Sequence, residues 1–176
     1  MKKAKEVIWL IKVIAQIIGF VALFISLIAY HRKDKKSIMS NLVICNLFKL
    51  VHYLLLGAYS GCVTKIIAII RDGFIIIKDK NTKLSNNLFL LFFIMLYVIA
   101  AFFTYDGILS MFPLVAALIY TLFIWNGNEL VVKKTAFYCY FIWLVYNIFV
   151  FSIPEIIANI LGIISTFIAI KNYKKV

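Results

Sequence analysis

Long apolar stretches of the 176-residue chain contain charged residues, among them Lys49, Arg71 and Asp72. A charged side chain at the centre of a membrane-spanning helix costs roughly 2.5–3.5 kcal/mol on insertion scales. Three such residues would offset most of the free energy that the surrounding apolar residues gain on insertion into the membrane. These groups must therefore face other parts of the protein or water. They are the first candidates for ion pairing, solute binding or proton transfer.

The polar residues of the second apolar stretch share one helix face. At helical spacing, this face carries Asn41, Cys45, Lys49 and His52. The next apolar stretch follows after a short turn, so the two helices should be antiparallel neighbours. Lys49 and Asp72 should then lie within about one helical turn, roughly 5 Å, of each other. We therefore expect a structural ion pair between Lys49 and Asp72.

A polar pocket is the alternative for the same helix face. Asn46, Lys49 and His52 would then bind a small solute or relay protons. His52 is also explained as a hydrogen-bonded contact between helices. Arg71 is expected near the cytoplasmic end of its helix, where its long side chain would reach the lipid headgroups.

The composition indicates the environment of these residues. Hydrophobic residues make up 65% of the chain and charged residues 15%, against about 45–50% and about 25% in soluble globular domains. A chain this short cannot enclose that much apolar surface in water, and its high hydropathy excludes intrinsic disorder. The formal charge is +12. Because the basic residues lie at the ends of apolar runs, they indicate an integral membrane protein, and no nucleic-acid partner is expected.

No enzyme motif accompanies this membrane pattern. The sequence has no paired carboxylates, no nucleophile–base pattern, no glycine-rich phosphate loop and no His/Cys spacing typical of a metal site. Cys45, Cys62 and Cys139 form no short-spaced pair, and we interpret them as buried structural thiols. We therefore expect no enzyme activity, no cofactor and no metal, with the lipid bilayer as partner.

Seven apolar segments approach the length of about 20 residues that spans a bilayer. They are Val13 to Tyr30 (or from Val7, if Lys12 reaches the interface), Ile38 to Leu56, Cys62 to Ile77, Leu88 to Phe103, Ile108 to Trp125, Thr135 to Phe151 and Ile156 to Ile170. We predict an all-α integral membrane domain over 1–176. It comprises a first three-helix repeat over 7–77, a linker helix over 88–103 and a second repeat over 108–171.

Basic residues in the loops predict the orientation of the chain. The N-terminal side holds only Lys2, Lys3 and Lys5. The opposite side holds twelve, which are Arg32, Lys33, Lys35, Lys36, Lys78, Lys80, Lys83, Lys133, Lys134, Lys171, Lys174 and Lys175. Because positive residues accumulate on the cytoplasmic side, the count predicts an outside N-terminus and a cytoplasmic C-terminus. The basic N-terminal tail by itself favours the reverse.

An internal repeat supports the division into two units. A shift of 94 residues aligns the first three segments with the last three without a gap, so that Cys45 meets Cys139. The short turns and the basic loops coincide in the same alignment. Because a single extra segment separates the units, both must cross the membrane in the same direction. Parallel repeats of this kind are a transporter architecture, with the binding site between the units near mid-membrane.

The chain resembles a bacterial family most clearly between Gln16 and Arg71. The segments Ala15-Gln16-Ile17-Ile18-Gly19-Phe20, Asn46-Leu47-Phe48 and His52-Tyr53-Leu54-Leu55-Leu56-Gly57-Ala58 are similar to those of YgjV-like bacterial inner-membrane proteins. The arrangement of three, one and three helices resembles the SWEET sugar transporters and the wider PQ-loop superfamily. The resemblance implies a multi-pass protein of the bacterial cytoplasmic (inner) membrane, and it supports the fold more than any activity.

The resemblance to SWEET proteins also implies roles for two residues. In SWEET-like units, a tryptophan on the second helix and an asparagine sixteen residues later face the solute. Trp143 and Asn159 have this spacing in the second unit, whereas the matching positions of the first unit hold Lys49 and Lys65. A symmetric sugar clamp is therefore not expected.

Two functions remain open at this stage. The first is a small-solute carrier whose binding residues are Asn46, Lys49, His52, Trp143 and Asn159. The second is a membrane scaffold or accessory protein that has the same fold and transports nothing. Association with further copies of the chain is compatible with either function.

Overall fold

The computed structural model describes residues 2–29, 31–78 and 87–173. Within these ranges the chain forms seven α-helices and a short 3-10 turn, Ile108–Ser110, which confirms the predicted all-α fold. The helices are α1 (Lys2–Ala29), α2 (Lys35–Leu56), α3 (Tyr59–Lys78), α4 (Asn87–Phe103), α5 (Met111–Ile124), α6 (Glu129–Phe149) and α7 (Ile153–Tyr173). The expectations for Tyr30, Lys80, Lys83, Lys174 and Lys175 concern positions outside the described residues.

Helix α6 begins well before its predicted apolar segment. It begins at Glu129, six residues before the predicted start at Thr135. The side chain of Asn128 accepts a hydrogen bond from a backbone N–H of the first turn, which caps the helix there. The helix ends at Phe149, and Phe151 already lies in the following turn. Apolar runs show where a helix meets hydrocarbon, but capping side chains decide where its backbone hydrogen bonds begin.

Three of the described helices are long and apolar enough to cross a bilayer by length and composition alone. They are Glu6–Ala29 within α1, Lys35–Leu56 and Ile153–Tyr173. Two further apolar stretches, Asn87–Phe103 and Ile108–Ile124, are shorter. Large apolar side chains cover the outer surface, and several are more than half exposed. An exposed apolar surface of this extent is typical of a protein that faces lipid.

The helices pack as two groups of three connected by α4. Helix α2 packs along α1 and α3, whereas α6 packs along α5 and α7. Helix α4 contacts α3 and α5, and the two groups meet where α1 contacts α7 and where α3 contacts α5. The main apolar core includes the fully buried side chains of Ile38, Tyr97 and Trp125. This packing turns the polar faces of α2, α3, α6 and α7 towards one another.

The N-terminal caps of α2 and α6 are alike and lie 94 residues apart. Asp34 caps α2 by accepting a hydrogen bond from the backbone N–H of Ser37 at 2.8 Å. Asn128 caps α6 by accepting one from the N–H of Val131 at 3.1 Å. The bonds from Ser37 also lower the pKa of the exposed Asp34 carboxyl below its usual range.

Two further local features recur at the same separation. Gly57, after α2, and Phe151, after α6, both have left-handed backbone conformations, with φ angles of 72° and 52°. The thiol of Cys45 donates to the carbonyl of Ala22 at 3.4 Å, and that of Cys139 donates to the carbonyl of Ala116 at 3.4 Å. The corresponding turns and helix contacts of the two groups thus have the same local geometry.

The left-handed turn after α2 gives a first testable prediction. Gly57→Ala should lower the free energy of unfolding by about 1 kcal/mol, because a Cβ atom disfavours the positive φ angle even though the space around it is open. The measurement is thermal unfolding of the purified protein in detergent, followed by helical circular dichroism.

Gly73→Ala is the matched control for this prediction. A Cβ atom at Gly73 also meets nothing within 4 Å, but its backbone is helical. Alanine should therefore stabilise the protein at this position by up to about 1 kcal/mol. Equal effects of the two substitutions would contradict the strained turn.

Candidate functional site

A polar cavity of about 90 Å³ lies between the two groups of helices. Its charged and amide-bearing lining residues are Asn46, Lys49, Lys65, Arg71, Asp72, Glu155 and Asn159. Tyr120, Tyr140 and Trp143 provide the aromatic part of the wall. Most of these residues lie in the middle turns of their helices, whereas Glu155 lies in the first turn of α7.

The Arg71–Asp72 ion pair forms one wall of the cavity. The guanidinium of Arg71 folds back onto the next residue in the chain, and its Nε and Nη2 donate to Oδ1 of Asp72 at 2.9 and 2.7 Å. The Nη1 atom donates to the hydroxyls of Thr121 at 2.8 Å and Tyr97 at 3.2 Å. The amide of Asn46 donates to the second carboxylate oxygen of Asp72 at 3.3 Å. This pair therefore connects α2, α3, α4 and α5.

The position of Arg71 corrects the expectation that it reaches the lipid headgroups. Its side chain is only 3% exposed, and its hydrogen bonds go to groups inside the bundle. A guanidinium has five hydrogen-bond donors. Several fixed acceptors inside the bundle offset the cost of burying its charge, so the side chain does not need to reach the lipid headgroups. Arg71 is thus part of the protein interior.

Lys49 pairs with Glu155, which corrects the predicted Lys49–Asp72 ion pair. The Nζ atom of Lys49 lies 2.7 Å from Oε2 of Glu155, and both side chains are buried. Asp72 takes Arg71 as its partner instead. The reason is tertiary, because the start of α7 lies near the C-terminal half of α2, where Glu155 meets Lys49 and Ser152 meets His52.

Lys65 lies over an aromatic ring rather than beside a carboxylate. Its Nζ is 3.6 Å from the centroid of the Trp143 ring and 5.9 Å from that of Tyr53. The side chain is buried at 9% exposure. A cation over an aromatic face is attracted by the ring quadrupole, and the interaction is strongest with tryptophan. The contact joins α3 to α6 across the cavity.

Two polar atoms of the cavity lining have no hydrogen-bond partner in the described part of the chain. They are Oε1 of Glu155 and Nδ2 of Asn159. Both side chains are 2% exposed. Buried polar groups in proteins are nearly always hydrogen-bonded, so an unpaired acceptor and an unpaired donor beside a polar cavity are features of a binding site.

His52 lies outside the cavity, and this corrects its prediction as a pocket residue. Its ring is fully buried, with Nδ1 2.7 Å from the carbonyl oxygen of Ala15 and Nε2 2.7 Å from the hydroxyl of Ser152. Gly19 permits this approach, because a Cβ atom there would lie 2.6 Å from Pro154 and 2.9 Å from the His52 ring. His52 therefore connects α1 and α2 with the turn before α7.

The structure brings the other four predicted site residues together. Asn46, Lys49, Trp143 and Asn159 all line the same cavity. Glu155 is the residue that sequence reasoning missed. Its position beside an apolar stretch could have identified it, because a carboxylate next to a membrane-spanning helix requires a partner as much as Lys49 does.

Comparisons with known proteins agree with this fold and environment. The chain matches the family Imp-YgjV, described as a bacterial inner membrane protein, over residues 13–175. The chain belongs to this family of bacterial inner membrane proteins. The comparison with curated proteins and the comparison with solved structures each found no match.

A second polar contact lies away from the cavity, where the start of α6 meets the end of α7. The hydroxyl of Tyr173 donates to Oε1 of Glu129 at 2.6 Å. This bond lowers the pKa of the exposed Glu129 carboxyl. The contact is therefore present at neutral pH and is lost in acid, when Glu129 is protonated.

The Lys49–Glu155 pair gives a stability prediction. Lys49→Met should lower the free energy of unfolding by about 3 kcal/mol, because it leaves the buried Glu155 without its cation. The double variant Lys49→Met/Glu155→Gln removes both charges and should recover most of this loss. Thermal unfolding in detergent measures both effects. A double variant no more stable than Lys49→Met would contradict the coupling of the two side chains.

Proposed function

We propose that the chain is a seven-span carrier for a small polar solute in the bacterial inner membrane. The observation that carries this proposal is the polar cavity between the two groups of helices. Ligand sites in bundles commonly lie between helices and combine an apolar wall with a few convergent polar groups. Here Trp143 supplies the apolar face, and Lys49, Lys65 and Asn159 supply polar groups.

The seven-span arrangement is supported by the location of the charges. Helices α3 and α6 contain more ionisable residues than an ordinary membrane-spanning helix. Lys65, Arg71 and Asp72 of α3 and Lys133 of α6 are all less than 10% exposed. A helix that buries its charges against neighbouring helices can cross the bilayer with an apolar outer face.

Two parallel repeats are supported by the recurrence of local structure at a separation of 94 residues. Helices α2 and α6 begin at Lys35 and Glu129, 94 positions apart. The hydroxyl of Tyr53 donates to Asn147 at 2.7 Å, and these positions are also 94 apart. Equivalent positions contact each other directly at a two-fold axis. In this arrangement α1 and α3 of one unit correspond to α5 and α7 of the other, and the contact of α1 with α7 corresponds to that of α5 with α3.

The four positions that correspond between the units meet in the cavity. Lys49 corresponds to Trp143, and Lys65 corresponds to Asn159, at the same separation of 94 residues. All four line the cavity, and Lys65 contacts Trp143 directly. A site at the interface of parallel repeats could open to either side as the units rock against each other. This motion is the proposed transport mechanism.

The transport proposal is tested with purified protein in liposomes. Labelled glycolate, glycine and glycerol serve as small acidic, zwitterionic and neutral probes. At least one should enter protein-containing liposomes faster than empty ones, and Asn159→Ala should reduce the protein-dependent rate by about tenfold, because it removes a buried hydrogen-bond donor from the site.

Ile160→Ala is the matched control for this experiment. Ile160 is the next residue on α7 and is 45% exposed on the outer surface. Its truncation should leave the uptake rate unchanged. The absence of protein-dependent uptake for all three probes would favour the alternative function, a membrane scaffold or accessory protein.

The proposed orientation is tested separately. We expect an outside N-terminus and a cytoplasmic C-terminus, because basic residues accumulate in the loops on the C-terminal side. A fluorescent reporter fused after Val176 should be fluorescent in cells, and an alkaline phosphatase fused at the same position should be inactive. An active phosphatase there would reverse the assignment.

A further inference from the structure

The charges in the cavity do not balance. Two carboxylates line it, and each already has a cation: Glu155 pairs with Lys49 and Asp72 with Arg71. Lys65 is the third cation of the lining. Among the described residues, no carboxylate lies within salt-bridge distance of it. The lining thus holds one positive charge more than its own carboxylates offset.

The ammonium group of Lys65 has unused hydrogen-bonding capacity. An ammonium carries three donors, and in the described part of the chain the contacts of this one are the rings of Trp143 and Tyr53. Aromatic rings stabilise the charge without accepting conventional hydrogen bonds from all three donors. Burying such a group is costly unless it is paired and hydrogen-bonded. An anion within the cavity would both pair with the charge and accept the hydrogen bonds.

The neighbouring unpaired atoms define the rest of the ligand. Nδ2 of Asn159 is a donor without a partner, so it can share the anionic group with Lys65. Oε1 of Glu155 is an acceptor without a partner, so it requires a donor on the ligand. The three groups together are complementary to a carboxylate that carries a hydroxyl group.

The volume of the cavity limits the size of this ligand. An apolar cavity of about 150 Å³ holds benzene, which has six non-hydrogen atoms. The present cavity, at about 90 Å³, has room for roughly four such atoms on the same scale. A hexose has about twice as many non-hydrogen atoms as benzene and exceeds this volume in the present conformation.

We propose that the cavity binds a small hydroxy-monocarboxylate, with Lys65 and Asn159 holding the carboxylate and Glu155 accepting a hydrogen bond from the hydroxyl. The proposal rests on the proposed carrier function and names its substrate class. Lys65 is the specificity-determining residue, because it supplies the charge that separates an acid from its neutral analogue.

The test measures binding of glycolate and of glycolamide, its neutral analogue of nearly equal size, to the full chain in detergent by isothermal titration calorimetry. Glycolate should bind at least tenfold more tightly than glycolamide, because charge-assisted hydrogen bonds are stronger than neutral ones. Lys65→Met should remove this preference, whereas Lys65→Arg should retain it. Lys36→Met is the matched control, because Lys36 is exposed in the first turn of α2.

Folding of the variants is checked by helical circular dichroism and thermal unfolding. Lys65→Met should be at least as stable as the parent protein, since it removes a buried charge that has no carboxylate partner. A loss of glycolate binding in a stable, helical variant then supports the direct role of Lys65.

Two outcomes would overturn the inference. If glycolamide binds as tightly as glycolate, the cavity has no preference for an anion. If Lys65→Met leaves glycolate binding unchanged, Lys65 does not hold the carboxylate. The carrier function would survive either outcome if glycine or glycerol showed uptake sensitive to Asn159→Ala. Failure of both binding and uptake for every probe would overturn the carrier function as well.

Discussion

Charge compensation inside an apolar bundle is the constraint on which this structure depends. Arg71 and Asp72 form a pair that also engages Tyr97, Thr121 and Asn46. These contacts fix four helices around one buried carboxylate. A broken buried pair leaves an uncompensated charge, which is far more costly than the pair itself is favourable. The two ion pairs of the cavity therefore act more to specify how the helices are arranged than to add stability.

The sequence predicted the environment and helical class but not the pairing of charges. Apolar runs between basic loops are local features, and they locate the helices well. Helical spacing also placed Asn46 and Lys49 where the cavity is found. The partner of Lys49 depends on where the start of α7 lies along α2. Glu155 reaches it over a separation of 106 residues, and no local pattern encodes that contact.

The helix ends show the same division between local and tertiary information. Asn128 begins α6 well before its apolar stretch, through a hydrogen bond that residue type could suggest. Phe151 adopts a positive φ angle where its counterpart in the first group is Gly57. Residue type predicts the turn at Gly57 but not at Phe151. Only the surrounding contacts, such as the bond from the Ser152 N–H to the Asn147 carbonyl, keep a bulky residue in that conformation.

The proposed two-fold arrangement places different chemistry at equivalent positions. The first unit contributes Lys49 and Lys65, and the second contributes Trp143 and Asn159. Glu155 neutralises Lys49, whereas Trp143 only partly compensates Lys65. A bundle selected for stability alone would replace such a lysine with an apolar side chain of similar length. Its presence beside an unpaired amide and an unpaired carboxylate oxygen is better explained by a ligand that supplies the missing anion.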